Sequence, residues 1–165
     1  MGQPSIDQPA RVRVLQIISF ALMQGVLLFG GVVIWLTLED KPDSMPFLVW
    51  VGLAFAVMAV VMRTILGNFL PTGFRRGIDR TVWDELSSTK QDEQLIGHMQ
   101  TKQIIELALL EGAAFMNLMF YMMEKQTISL IVAGVLLGLM AVAFPTGSKV
   151  DHWVDTQKQL INLGS

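Results

Sequence analysis

Apolar positions run along this chain in four long blocks, and charged residues mark where each block begins and ends. Between Arg13 and Glu39 lie 25 residues without a charge, between Asp43 and Arg63 lie 19, and between Lys125 and Lys149 lie 23. A fourth block from Gln103 to Met123 covers 21 residues and carries only Glu106 and Glu111. An ionised side chain at the centre of a bilayer costs about 2.5 to 3.5 kcal/mol on insertion scales, so uncharged blocks of this length point to lipid as their solvent. About 20 residues rising 1.5 Å each cross a hydrocarbon layer of roughly 30 Å. The pattern predicts an all-α, polytopic membrane fold with four transmembrane helices, over about 14–38, 45–66, 103–123 and 127–145.

Laid over itself, the chain matches at two offsets. Gln16-Ile17-Ile18-Ser19-Phe20-Ala21-Leu22-Met23-Gln24-Gly25 falls on Gln103-Ile104-Ile105-Glu106-Leu107-Ala108-Leu109-Leu110-Glu111-Gly112 with six identities in ten, at an offset of 87. Leu48, Gly52, Met58, Ala59, Val60 and Thr64 fall on Leu130, Gly134, Met140, Ala141, Val142 and Thr146, at an offset of 82. The expectation is two tandem hairpins, with span one related to span three and span two to span four, about an axis along the membrane normal. Both copies keep small residues four apart. Ala21 and Gly25 recur as Ala108 and Gly112, and Gly52 and Ala56 recur as Gly134 and Gly138. Helices in lipid associate by close packing, and small-xxx-small pairs allow backbones to approach, so these eight positions are predicted packing sites.

The expected layout is a first hairpin over 1–70, a linker with amphipathic helices over 71–102, a second hairpin over 103–147 and an amphipathic tail over 148–165. Pro71-Thr72-Gly73 and Pro145-Thr146-Gly147 each follow an apolar block and are expected to close it. Thr89 with Asp92 resembles a capping box opening a helix that runs into span three. Val150, Trp153, Val154 and Ile161 recur at helical spacing, as Ile78, Val82 and Leu86 do, which predicts helices lying on the inner membrane surface. Orientation follows from lysine and arginine. The N-terminal tail, the segment 63–102 and the C-terminal tail hold 2, 6 and 2 of them, and the turns at 39–45 and 124–127 hold one each. By the positive-inside rule both termini and the central segment face the cytoplasm, and the protein belongs in a plasma (inner) membrane. Glu39-Asp40-Lys41-Pro42 offers no small-residue cleavage site, so the first span is expected to be retained.

Composition narrows the chemistry. Charged residues are 16% of the chain, and its net charge of −2 comes with no basic stripe, so nucleic acid is not an expected partner. Cysteine is absent, which removes thiolate ligands, disulfides and cysteine nucleophiles. His98 and His152 stand 54 positions apart with no carboxylate at ligand spacing, so no metal or other cofactor is expected. No nucleophile with a base and no phosphate loop is present to suggest an enzyme.

The candidate site is therefore intramembrane and polar. Glu111 lies two positions from the centre of its span and Gln24 holds the matching place in span one, so neither is expected to face lipid. Two roles remain open for Glu111: a proton or cation position, or a polar clasp to Gln24 between the repeats. Gln103, Glu106, Ala113, Asn117 and Tyr121 fall on one stripe of span three, fit to line a helix interface or a polar cavity. Glu106 is expected near the cytoplasmic boundary, within reach of water.

The run Gln103-Ile104-Ile105-Glu106-Leu107-Ala108-Leu109-Leu110-Glu111-Gly112-Ala113-Ala114-Phe115 resembles the third-span signature of small bacterial four-helix integral membrane proteins. That resemblance implies membrane residence without implying an activity. In plan the chain is also distantly similar to rotary-ATPase proteolipids. It departs from them in lacking a glycine-ladder first helix, in carrying its glutamate on the first helix of the hairpin, and in its long central segment. The expected function is a structural or accessory component acting through helix–helix assembly, with the bilayer and a homo-oligomer or membrane-protein partner as its contacts. The alternative is a proton- or cation-translocating component using Glu111.

Overall fold

A computed structural model describes residues 8–37, 46–77, 83 and 85–163. They form helices α1 (Gln8–Thr37), α2 (Phe47–Gly77), α3 (Ser88–Glu124), α4 (Thr127–Val142) and α5 (Gly147–Leu163). The architecture is all-helical. Val12–Thr37, Phe47–Leu70 and Ser88–Glu124 are each long and apolar enough to cross a membrane, and α4 joins them if it is taken together with α5, from which it departs by 67°.

The bundle is organised around α3. Helices α1, α2 and α4 all pack on it, α4 also touches α1 and α2, and α1 and α2 barely meet each other. The two helices of the expected first hairpin thus occupy opposite corners, with α3 and α4 on the short diagonal between them. The reason is in the side chains. Val26 of α1, Ala56 and Ala59 of α2, Leu107, Leu110, Ala114 and Leu118 of α3, and Ala133, Leu136 and Met140 of α4 form one core. Phe29 of α1 meets Phe115 of α3 with ring centroids 5.2 Å apart and planes tilted by 59°, a favourable edge-type geometry. Around this core the exterior is apolar: Ile17, Phe20, Leu28, Val57, Val61, Ile131 and Val135 are all exposed.

Several boundaries differ from the sequence expectation. Helix α2 does not stop at Pro71 but continues to Gly77, and α3 starts at Ser88, so the linker is mostly an extension of the two long helices. Thr89 lies within the first turn of α3; the N-cap is Ser87, without a side-chain cap bond, and Asp92 pairs instead with Lys158 of α5. Pro145 does end its helix. Helix α4 is only 16 residues, about 24 Å at 1.5 Å per residue, and stops at Val142 before the elbow into α5. The apolar face of α5 is not spread on a surface: Val150, Val154 and Ile161 are buried with Leu95, Ile96 and Met99 of α3 and with Trp83. Ile78 and Val82, and the turn 39–45, lie outside the described residues.

The second turn is tight. Lys125 takes the left-handed conformation (φ 55°, ψ 26°) and its N–H donates to the Tyr121 carbonyl at 2.7 Å, closing α3 and reversing the chain into α4.

Candidate functional site

Helix α3 serves as a ruler for the polar groups. Glu106 and Glu124, both buried, stand 18 residues apart on it, roughly 27 Å at 1.5 Å per residue, about the thickness of a hydrocarbon layer. Each carboxylate is held by other helices.

At the level shared by Gln16 near the N-terminus of α1, the middle of α3 and the end of α4, Glu106 lies 3.7 Å from Arg63 Nε of α2 and 3.6 Å from Lys102 Nζ one turn earlier on α3. Gly67 makes room for it; a Cβ there would stand 3.1 Å from the Glu106 Oε1. The α4–α5 elbow sits at this end too. Its carbonyls have lost their helical donors, and side chains replace them. Gln103 Nε2 donates to Ala143 O at 2.6 Å, Gln16 Nε2 to Pro145 O at 3.0 Å, and Lys149 Nζ to Val142 O at 3.0 Å and Phe144 O at 3.4 Å. Gln16 and Gln103 are matched positions of the sequence repeat, and both serve the one elbow.

At the other end, Glu124 accepts hydrogen bonds from the backbone N–H groups of Leu48 (2.7 Å) and Val49 (3.1 Å). These belong to the first turn of α2, so the carboxylate satisfies orphan donors and meets the positive end of that helix dipole. Sequence reasoning overlooked Glu124. The available signal was its position: a carboxylate in the last turn of a helix is poorly placed for its own dipole, which suggests that it serves another helix.

Between these ends lies Asn117, fully buried. Its Nδ2 donates to Gly52 O of α2 at 3.1 Å and to Ala113 O of its own helix at 2.8 Å. Its Oδ1 has no hydrogen-bond donor and lies where a Cβ on residue 52 would be, only 2.5 Å from that position. Oδ1 therefore occupies the space beside Gly52 that a side chain there would fill. Of the stripe expected on α3, Glu106, Ala113 and Asn117 are buried, and the partner of Glu106 and Asn117 is α2.

Glu111 and Gln24 differ from all of these. Glu111 is half-buried, with Oε1 3.6 Å from the Cβ position of Gly25 on α1, which puts it at the depth of Gln24, the next residue. No hydrogen bond joins the two side chains, and among the described residues neither has any hydrogen-bond or ion-pair partner. Gln24 is exposed on the outside of the bundle, so the expected clasp between it and Glu111 is not formed. Counted on α3, Glu111 lies about 7.5 Å past Glu106, on the Glu106 side of the middle.

The eight small residues divide by environment. Gly52 and Ala56 are buried and Gly25 is half-buried, whereas Ala21, Ala108, Gly112, Gly134 and Gly138 are exposed. At Gly112, Gly134 and Gly138 an added Cβ would meet nothing within 4 Å. Positions matched in the sequence alignment therefore have unmatched surroundings, as the central placement of α3 and the peripheral placement of α1 require. Two apolar grooves flank α4. One of about 290 Å³ lies against α2 between Val57, Val61, Ile131 and Val135; the other, about 350 Å³, lies against α1 between Gly30, Ile34, Leu118 and Gly134. Neither is lined by an ionisable residue. Among the described residues no group of three His, Asp or Glu side chains is placed to hold a metal ion. No family model, curated protein or solved structure matches the chain.

Proposed function

We propose that this chain is a structural or accessory component of a plasma (inner) membrane that acts by packing its helices against other membrane helices. The observation that carries this is the outward placement of Ala108, Gly112, Gly134 and Gly138, small residues four apart on α3 and α4 that are all exposed, with open space at the Cβ positions of the three glycines. Small surfaces of this kind let a second backbone approach closely in lipid, where no hydrophobic force draws helices together. The lysine and arginine distribution puts both termini, the α2–α3 connection and α5 on the cytoplasmic side. The repeat supports descent from a duplicated hairpin, with α3 and α4 later drawn to the centre. Crosslinking in native membranes tests the function: recovery of higher-mass species is expected, and monomer alone without any partner counts against it.

A proton- or cation-translocating component is the second reading, and the carboxyl of Glu111, which has no hydrogen-bond or ion-pair partner among the described residues, favours it. Glu111→Gln would then abolish flux in proteoliposomes while the protein stays folded; unchanged flux removes this reading.

A further inference from the structure

We infer that the groove between α2 and α4 is a binding site for one acyl chain of an anionic phospholipid, with Lys149 holding the headgroup phosphate at the mouth beside the α4–α5 elbow. The site does not depend on the assembly function proposed above.

Size selects the occupant. Leu53, Val57 and Val61 of α2 face Ile131, Val135 and Leu139 of α4 across about 290 Å³, and every residue lining the space is apolar. The groove follows eight residues of each helix, roughly 12 Å at 1.5 Å per residue, so its mean cross-section is roughly 24 Å². A helix with its side chains is about 10 Å across and needs about three times that area. A single polymethylene chain fits. The groove also opens sideways to the bilayer, since Val57, Ile131 and Val135 are 56%, 59% and 58% exposed. Lining atoms left without neighbours would forfeit their dispersion contacts, so in lipid the space is filled by a chain from the surrounding leaflet.

Charge selects the headgroup. On α2 the line of Val57 and Val61 continues to Thr64, and on α4 the line of Val135 and Leu139 continues to Val142. Val142 marks the mouth. Its carbonyl accepts from Lys149 Nζ at 3.0 Å, and Phe144 O accepts from the same ammonium at 3.4 Å. An ammonium has three donors, so one remains for a phosphate oxygen, and Lys149 is exposed. At the same depth Arg63, the residue before Thr64, shares the single carboxylate of Glu106 with Lys102, which leaves one positive charge in excess. A zwitterionic headgroup carries its own cation to its phosphate. An anionic one does not, and gains more from this end of the bundle.

Native mass spectrometry of the full chain, purified free of lipid and titrated with phosphatidylglycerol or phosphatidylcholine, tests the site. The first phosphatidylglycerol is expected to bind about fivefold more tightly than the first phosphatidylcholine, the effect of one lysine near a charged lipid surface. Lys149→Gln is expected to abolish that preference and Lys149→Arg to keep it. Lys90→Gln, at an exposed position in the first turn of α3, is expected to leave it unchanged. Val135→Trp fills the groove about two turns from the elbow and is expected to weaken the binding of both lipids. A preference that survives Lys149→Gln, or that Lys90→Gln lowers equally, overturns the headgroup assignment and with it the site. Undiminished binding to the Val135→Trp variant overturns the groove as the seat of the chain. A Val135→Cys thiol that crosslinks to another protein chain in native membranes does the same, because that face is then a helix interface. Monomer alone on crosslinking, with the lipid results intact, sinks the assembly function and leaves this site standing.

Discussion

The Asn117 amide on α3 donates to the carbonyl of Gly52 on α2, and its own oxygen fills the volume that any larger residue at position 52 would need. The contact ties together helices that run in opposite directions, and it leaves no room for a side chain at position 52 while Asn117 is present.

Gly52→Ala is accordingly expected to destabilise the folded protein by about 1–3 kcal/mol, the usual range for overpacking a filled site. The new carbon would also come within 3.0 Å of the Phe120 ring. Adding Asn117→Ala relieves the principal clash, so the double variant should lose less than the sum of the single losses. Unfolding titrations in detergent micelles check this, and strict additivity would contradict it.

Glu124→Ala removes the acceptor for Leu48 N–H and Val49 N–H. A cost of about 1–2 kcal/mol is expected, with Glu124→Gln losing less because an amide oxygen still accepts. Hydrogen exchange read at these two amides separates this loss from general unfolding: they should lose protection before the rest of α2.

The elbow carbonyls predict a different signature. Gln16→Leu and Gln103→Leu each remove one donor from the α4–α5 junction, with about 1 kcal/mol expected from each. Spin labels on α4 and α5 should report a broader distance distribution in the double variant, centred away from that of the 67° elbow. An unchanged distribution would show that burial of Val150 and Val154 alone holds the angle.

Trp35 and Trp50 are 73% and 68% exposed near the end of the bundle marked by Glu124, whereas Trp83 is buried. Exposed tryptophans at the end of an apolar helix are expected to sit at headgroup level. In proteoliposomes, brominated lipids with shallow bromines should quench Trp35 and Trp50 strongly and Trp83 weakly. Strong quenching of Trp83 would contradict the burial of α5 against α3.

Element type and approximate position were legible in the sequence because charge and hydrocarbon are incompatible, so the gaps between charges such as Arg13 and Glu39 already delimit the helices. The partners of those helices were not legible. The repeat offers a symmetric pairing, but symmetry in sequence does not require symmetry in packing, and the distinct residues at matched positions decide otherwise. Gly30 stands in α1 where Asn117 stands in α3, so only α3 can bond to the backbone of a helix carrying glycine in the way that Gly52 is bonded. Asn117 was recognisable as a polar group of a helix interface, and it is buried; Glu106 was expected within reach of water, and it is buried instead because Arg63 and Lys102 neutralise its carboxylate inside the bundle. Gln24 was expected beside Glu111 by the pseudo-symmetry of the two hairpins, and it is exposed on the outside of the bundle without a hydrogen bond to Glu111, because α1 turns Val26, Gly30 and Val33 to the core and Gln24 lies on its opposite side. The bend at Pro145 was visible, but the helix through Pro71 was not, since proline lowers helix stability without forbidding a helix.

The placement of α1 and α2 at opposite corners bears on biogenesis. As the chain emerges, its first two spans enter the bilayer with almost nothing to hold on to in each other, and Gly52, Ala56 and Val26 face lipid until the second half is made. The early intermediate is a pair of loose helices whose lifetime is set by translation of the second half of the chain, and any insertase or quality-control factor that surveys orphan spans would meet this protein at that stage.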